Sequence, residues 1–256
     1  LMSTATTRLK SLMGGGTFDT PKPLELIDKM LRMITFDDNE SIVLDFFSGS
    51  STTAHAVMQL NAEDGGNRKF IMVQLPEKTD EKSEAYKAGY ENICEIGKER
   101  IRRAGQKILE DNKDKEGIEN LDIGFRVLKI DDTNMTDVYY SPAEYSQNLL
   151  STMESNVKSD RTDLDLLFGC LLEWGLPLSL PYRSEQIEGC TVHNYNDGDL
   201  IACFDKNIPD SVMEEIAKKQ PLRAVFRDSS FANSPSKINV GELFKLLAPD
   251  TRVKVI

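Results

Sequence analysis

The chain has 256 residues, 39% of them apolar and 29% charged, and a net charge of −11, the profile of a globular protein with one large or two ordinary domains. No apolar run approaches the roughly 18 residues of a membrane span, and the first residues lack the long apolar core of a secretory signal, so a cytoplasmic protein with no membrane partner is expected. The charge is uneven, −2 over residues 1–110 and −9 over 111–256, and the second half offers no basic face with which to grip nucleic-acid phosphates.

Residues 1–17 are polar, end in Gly14-Gly15-Gly16, and read as a frayed, flexible start. Pro21 and Pro23 stiffen the next segment, and Leu24, Ile27, Leu31 and Ile34 recur at helical spacing, predicting an amphipathic helix from about Pro23 to Thr35. Ile42 to Phe46 reads as a strand, Ser48 to Ser51 as a turn of small residues, and Ser51 to Asn61 as a helix. This strand–turn–helix is how α/β proteins bring backbone N–H groups to a nucleotide-like ligand. Asp64 to Asn67 is turn chemistry, and Lys69 to Leu75 a second strand suited to a parallel sheet. Ser83 to Leu109 reads as helix, with a break expected at Gly89 or Gly97. Its cluster Lys98, Arg100, Arg102, Arg103 and Lys107 reads first as a solvated last turn complementing the helix dipole, with a phosphate-contacting edge as the alternative.

Residues 111–120 are charged and apolar-poor, a linker by composition. The alternation over Gly124–Ile130 predicts a strand, Ala143–Glu154 a helix, and Leu164–Trp174 an apolar helix capped at Gly175. Cys190–Tyr195 and Leu200–Phe204 flank the hairpin signal Asn196-Asp197-Gly198-Asp199. A helix from Pro209 to Lys219, a strand Leu222–Phe226, a helix Lys237–Leu247 and a strand Thr251–Ile256 complete the chain. The organisation expected is 1–110, a linker at 111–120, and an α/β domain over 121–256. Cys94, Cys170, Cys190 and Cys203 are scattered, with no zinc-ligand spacing, and read as reduced thiols with no metal site. His55 reads as a packing or surface residue, and Trp174 as core or subunit interface.

Three segments stand in a fixed order: Phe18-Asp19-Thr20-Pro21-Lys22-Pro23, then Asp45-Phe46-Phe47-Ser48-Gly49-Ser50-Ser51-Thr52-Thr53, then Val73-Gln74-Leu75-Pro76-Glu77. Together they resemble the circularly ordered (beta-class) DNA adenine-N6 methyltransferases, and most closely the methylation subunits of type III restriction–modification systems. Further similarity lies at Leu171 to Pro177, Tyr195 to Asp199 and Phe226 to Phe231. The resemblance implies a partial Rossmann-like α/β methyltransferase sheet followed by a smaller α/β C-terminal domain, with S-adenosylmethionine as cofactor. Thr20, Pro21 and Lys22 match the motif lining the methionine side of the pocket. Ser48, Gly49, Ser50, Ser51 and Thr52 bring backbone N–H groups toward the methionine carboxylate, while Phe46 and Phe47 offer an apolar wall to the adenine. Asp45 accepts from the cofactor's amino group or from loop N–H groups. Gln74, where the family usually has an acid, is expected at the ribose hydroxyls, with Glu77 as a nearby substitute.

Two departures concern this pocket and one concerns catalysis. Ser51 stands where the family has glycine, so its Cβ is expected to narrow the approach and push the residue out of the glycine-only backbone region. Gln74 lacks the charge of the usual acid. No Pro-Pro pair exists anywhere in the sequence, so the family's D-P-P-Y-like catalytic tetrapeptide is absent; Ser141-Pro142-Ala143-Glu144-Tyr145 is a poor imitation. In this circular order the tetrapeptide is expected upstream of residue 1, which makes the chain the C-terminal part of a methyltransferase, inactive alone and with no catalytic residue of its own. The partners implied are DNA through the full-length protein, a second copy forming a homodimer, and the helicase/nuclease restriction subunit. The alternative for 121–256 is a non-catalytic dimerisation or restriction-subunit docking module. A nicotinamide or nucleotide enzyme is a third option, without the G-x-G-x-x-G spacing it requires.

Overall fold

The computed structural model describes residues 2–136, 157–232 and 234–256; the helix expected over Ala143–Glu154 and the Ser141–Tyr145 segment lie outside the described residues. The chain divides into two compact units, Leu1–Arg126 and Val127–Ile256.

The first unit opens with α1, Met2–Met13, where a frayed start was expected. Ala5, Leu9 and Met13 recur every four residues and are buried, an apolar stripe that packs with Ala85 and Ile96. α2, Leu24–Ile34, follows the two prolines as expected. β1, Ile42–Asp45, and β2, Lys69–Met72, pair in parallel with Ile42 opposite Lys69. Between them runs α3, Thr52–Asp64, which ends on Gly65 in the left-handed region. Val43 and Phe70 pack beneath α2 and α3, and Met72 joins the α3 cluster. On the opposite face Ile42, Leu44, Ile71 and Val73 stay exposed, so this sheet is covered on one side only.

The long helical stretch breaks at Gly89, which adopts φ 90°. α4, Glu84–Lys87, precedes it and α5, Ile93–Asp111, follows, running straight through Gly97. The basic cluster therefore occupies the middle turns, and the last turn of α5 carries no basic residue; the helix-dipole reading is corrected. Lys98, Arg102, Arg103 and Lys107 pair with acids three or four positions away. Arg103 also donates to the carbonyls of Leu12 and Met13, satisfying the end of α1.

Residues 111–125, where a linker was expected up to 120, hold a short 3₁₀ turn at Ile118–Asn120. Lys115 donates to the carbonyls of Ala62 and Glu63, capping α3, while Ile118, Leu121, Ile123 and Phe125 pack against the α3–α5 cluster. The strand expected over Gly124–Ile130 does not form; among the described residues the segment has no neighbouring strand, and Ile130 is fully exposed.

The second unit is a three-layer α/β structure. α6, Asp163–Glu173, begins at a reciprocal cap between Thr162 and Asp165. The sheet comprises β3 (Tyr182–Ile187), β4 (Cys190–Tyr195), β5 (Leu200–Cys203), β6 (Arg223–Phe226) and β7 (Arg252–Val255), in that spatial order. β3, β4 and β5 are antiparallel neighbours, whereas β5, β6 and β7 run parallel. The β4–β5 hairpin is the one expected at Asn196–Asp199. β3 has no counterpart in the sequence reading, because its solvent-facing residues are mostly polar; a two-residue turn, Glu188-Gly189, both at positive φ, joins it to β4. α7 (Asp210–Lys218) and α8 (Ser234–Leu247) cover one face of the sheet around Val192, Ile201, Cys203 and Phe226. α6 covers the other around Tyr195, Leu200, Ala202 and Val225. Among the described residues no helix is long and apolar enough to cross a membrane.

Candidate functional site

The parallel strands direct the site. β1 ends at Asp45, whose carbonyl accepts from Val73 N at 2.8 Å, while Ser48 N returns to the Val73 carbonyl at 3.2 Å. The loop Phe46–Ser51 therefore leaves the carboxyl end of β1 while still tied to the end of β2. Asp45 holds the loop from below: one carboxylate oxygen accepts from Phe47 N at 3.3 Å, the other from the Thr53 hydroxyl at 2.6 Å. Of the two roles expected for Asp45, loop N–H acceptance is thus present. Ser51 N closes a tight turn onto the Ser48 carbonyl at 2.7 Å. Gly49 and Ser51 both sit at positive φ, 52° and 57°.

Ser51 keeps the left-handed geometry with ψ 43° despite its Cβ, which corrects the expectation that serine would leave it. The compensation comes from α5. A Cβ added at Gly97 would lie 2.6 Å from Ser51 Oγ and 3.3 Å from the Gly49 carbonyl oxygen. Gly97 thus makes the room that Ser51 occupies.

Gln74 is engaged with the same loop. Its Oε1 accepts from Gly49 N at 2.8 Å, and its Nε2 donates to the Leu75 carbonyl at 3.3 Å. Glu77 is exposed, and its carbonyl receives Ile93 N at 3.0 Å, at the start of α5. Phe46 and Phe47 are 63% and 80% exposed, an aromatic pair with open faces beside a loop whose Phe47, Ser48, Gly49 and Ser51 N–H groups are bonded within the protein. Thr20 to Pro23 reaches the same place from upstream: the Thr52 hydroxyl lies 3.5 Å from the Lys22 carbonyl. Thr20 itself is exposed, while Pro21 and Pro23 are buried. The structure thus gathers Lys22, Asp45, Ser48–Thr52 and Gln74 around the start of α3.

The residue that sequence reasoning missed is Arg100. It is 4% exposed, and its Nη1 donates to Ser50 Oγ at 2.9 Å and Thr52 Oγ1 at 2.7 Å. Burial pushes its guanidinium down to about 10. The sequence signal was its place on the apolar face of α5, beside Ile96, Ile101 and Ala104. Arg100, Lys22 and His55 line one cavity of about 330 Å³. Burial, and secondarily the Arg100 charge, push the His55 imidazole down to about 3, so it is neutral. In the second unit Cys190, Cys203 and Asp205 lie within 4.8 Å of one another, although their spacing gave no hint of it. Burial pushes the Cys203 thiol up to about 12, and Asp205 already accepts from Thr191 N at 2.6 Å.

A glycine-bearing turn between parallel strand and helix, backed by Asp45 and flanked by exposed aromatics, is the arrangement by which α/β proteins bring backbone close to nucleotide-like ligands. Residues 3–84, which include this loop, match the DNA methylase family. The chain is also similar to Mod subunits of type III restriction–modification enzymes. It is 46% identical over 115 residues to StyLTI Mod of Salmonella typhimurium, covering 45% of the chain and 17% of the relative. With EcoPI Mod of Escherichia phage P1 it shares 35% over 199 residues, 76% of the chain and 28% of the relative. With EcoP15I Mod of Escherichia coli it shares 36% over 268 residues, 95% of the chain and 36% of the relative. Residues 3–84 thus carry the DNA methylase match, and the chain is homologous over most of its length to part of the type III Mod subunits. It spans about a third or less of the length of these relatives.

Proposed function

We propose that the chain is the cofactor-binding portion of a DNA adenine-N6 methyltransferase of type III restriction–modification, with S-adenosylmethionine as cofactor. The observation that carries the reading is the convergence of Lys22, the Ser48–Thr52 loop and Gln74 on the start of α3, where the helix field favours a carboxylate. The donor set fits the cofactor: loop N–H groups and Lys22 for the carboxylate, Phe46 and Phe47 for the adenine, and Gln74 with Glu77 for the ribose hydroxyls. When bound, S-adenosylmethionine supplies an electrophilic methyl group. The chain's own residues bind and orient; none is proposed as catalytic, since the sequence has no D-P-P-Y-like tetrapeptide. Gln74 is a gate in this reading, since its Oε1 accepts the Gly49 N–H until a ligand takes its place. The bare apolar face of β1 and β2 supports a larger Rossmann-like sheet, of which these strands are a part. Residues 1–110 hold the cofactor and 121–256 serve association.

DNA as substrate, a restriction subunit as partner, and a homodimer of the methylation subunit belong to the same proposal, supported by the relatives being Mod subunits. Calorimetric titration with S-adenosylhomocysteine tests the cofactor. Binding that weakens on Lys22→Met and on Asp45→Ala is expected; no heat of binding at any concentration would reject the reading. Sedimentation at micromolar concentration tests the dimer, and a monomer at all concentrations would reject it.

A further inference from the structure

Every other basic residue of α5 has an acid at three or four positions along the helix, but Arg100 has no carboxylate within 4.0 Å among the described residues. Its Nε is buried and without a hydrogen-bond partner. A guanidinium taken from water with no counter-charge is costly, and such a group persists where an anion completes it.

Its two bonds show where that anion belongs. Nη1 is donor to both Ser50 Oγ and Thr52 Oγ1, so each hydroxyl must accept from Arg100. A hydroxyl has one proton, and accepting from Arg100 leaves that proton to be donated elsewhere. The Thr52 hydroxyl gives its proton to the Lys22 carbonyl at 3.5 Å, so the proton that Arg100 leaves for a further acceptor is that of Ser50. Lys22 adds a second cation on the same cavity, and it too has no acid within 4.0 Å among the described residues. His55 on that cavity is neutral, and the remaining charged groups there are already paired, Arg8 with Glu25 and Asp111 with Lys107.

Resting on the cofactor reading above, we propose that Arg100 is the positioning residue of a carboxylate subsite, in which it orients the Ser50 hydroxyl, holds Thr52 against the Lys22 carbonyl and, with Lys22, selects the amino-acid end of the cofactor. The adenosine end is recognised separately. Ligands that share the adenosine but lack the carboxylate therefore do not sense Arg100.

The test is calorimetry on the protein with two ligands, S-adenosylhomocysteine and 5′-methylthioadenosine, which has no amino-acid end. Arg100→Gln is expected to weaken S-adenosylhomocysteine about tenfold to a hundredfold, the scale of hydrogen bonds to charged groups. The same change is expected to leave 5′-methylthioadenosine within about twofold. Equal weakening of both ligands, or of neither, overturns the proposal and leaves the cofactor reading standing. Wild-type protein binding both ligands equally also overturns the subsite alone. Wild-type protein binding neither overturns the cofactor reading and the subsite with it. Should Arg100→Gln not fold, Ser50→Ala, which leaves Arg100 its bond to Thr52, takes its place. The same selective loss is expected, and unchanged affinity for S-adenosylhomocysteine overturns the proposal.

Discussion

The contact between Ser51 and Gly97 makes a quantitative prediction. Replacing Gly97 by Ala puts a methyl group 2.6 Å from Ser51 Oγ and 3.3 Å from the Gly49 carbonyl oxygen. Overpacking of this kind costs about 1–3 kcal/mol, while alanine gains about 1 kcal/mol over glycine within a helix. The net expectation for Gly97→Ala is a destabilisation of about 0–2 kcal/mol. Ser51→Gly removes both the clashing oxygen and a left-handed penalty of about 1–2 kcal/mol, although glycine's greater unfolded-state entropy offsets part of the gain. In that background Gly97→Ala should become nearly neutral, a coupling of up to about 2 kcal/mol. The only tryptophan, Trp174, lies in the second unit, so its fluorescence does not report this contact. Hydrogen exchange of peptides covering 51–64 and 93–111 does. If Gly97→Ala costs the same with serine or glycine at 51, the explanation of how Ser51 holds its backbone is wrong.

Other consequences are open to direct measurement. Arg68 is 5% exposed; its Nε donates to Thr35 Oγ1 at 2.8 Å, and Nη1 meets the Asp64 carboxylate at 2.9 Å. Arg68→Met should destabilise the first unit by about 3 kcal/mol; exchange of the β2 amides at wild-type rates would refute this. Asp165 accepts from Thr162 N and the Thr162 hydroxyl, which holds its carboxyl below the usual range. Because the folded value is depressed, this stabilisation is present above about pH 4 and is lost as pH falls through the folded value. Asp165→Asn should therefore cost about 1 kcal/mol at pH 7 and nothing at strongly acid pH; urea titrations followed at Trp174 that show the same gap at both pH values would contradict the cap. The buried Tyr195 hydroxyl donates to the Pro177 carbonyl and accepts from Leu180 N at 3.1 Å. Tyr195→Phe should destabilise the second unit by about 1–3 kcal/mol in the same titration, with an unchanged midpoint counting against it.

What the sequence determined by itself was local. The small residues from Ser48 to Ser51 between an apolar run and a helix, the prolines before α2 and the Asn196–Asp199 turn are all short-range chemistry, legible without neighbours; the helix break was legible only as a choice between Gly89 and Gly97. The family of the loop was legible too, because its motif is a contiguous run. Other features depended on partners distant in sequence. α1 is a helix because Leu9 and Met13 find Ile96; the Gly124–Ile130 alternation is no strand because, among the described residues, no strand lies beside it. β3, mostly polar, is a strand because β4 offers it a ladder. Only the tertiary structure brought Gly97 to within reach of Ser51, so that a serine holds a glycine's backbone. It alone placed Arg100, fifty residues from Ser50, behind the Ser48–Thr52 loop. Charge and helical spacing belong to the sequence, but whether a guanidinium faces water or two hydroxyls is decided by how one helix packs against another.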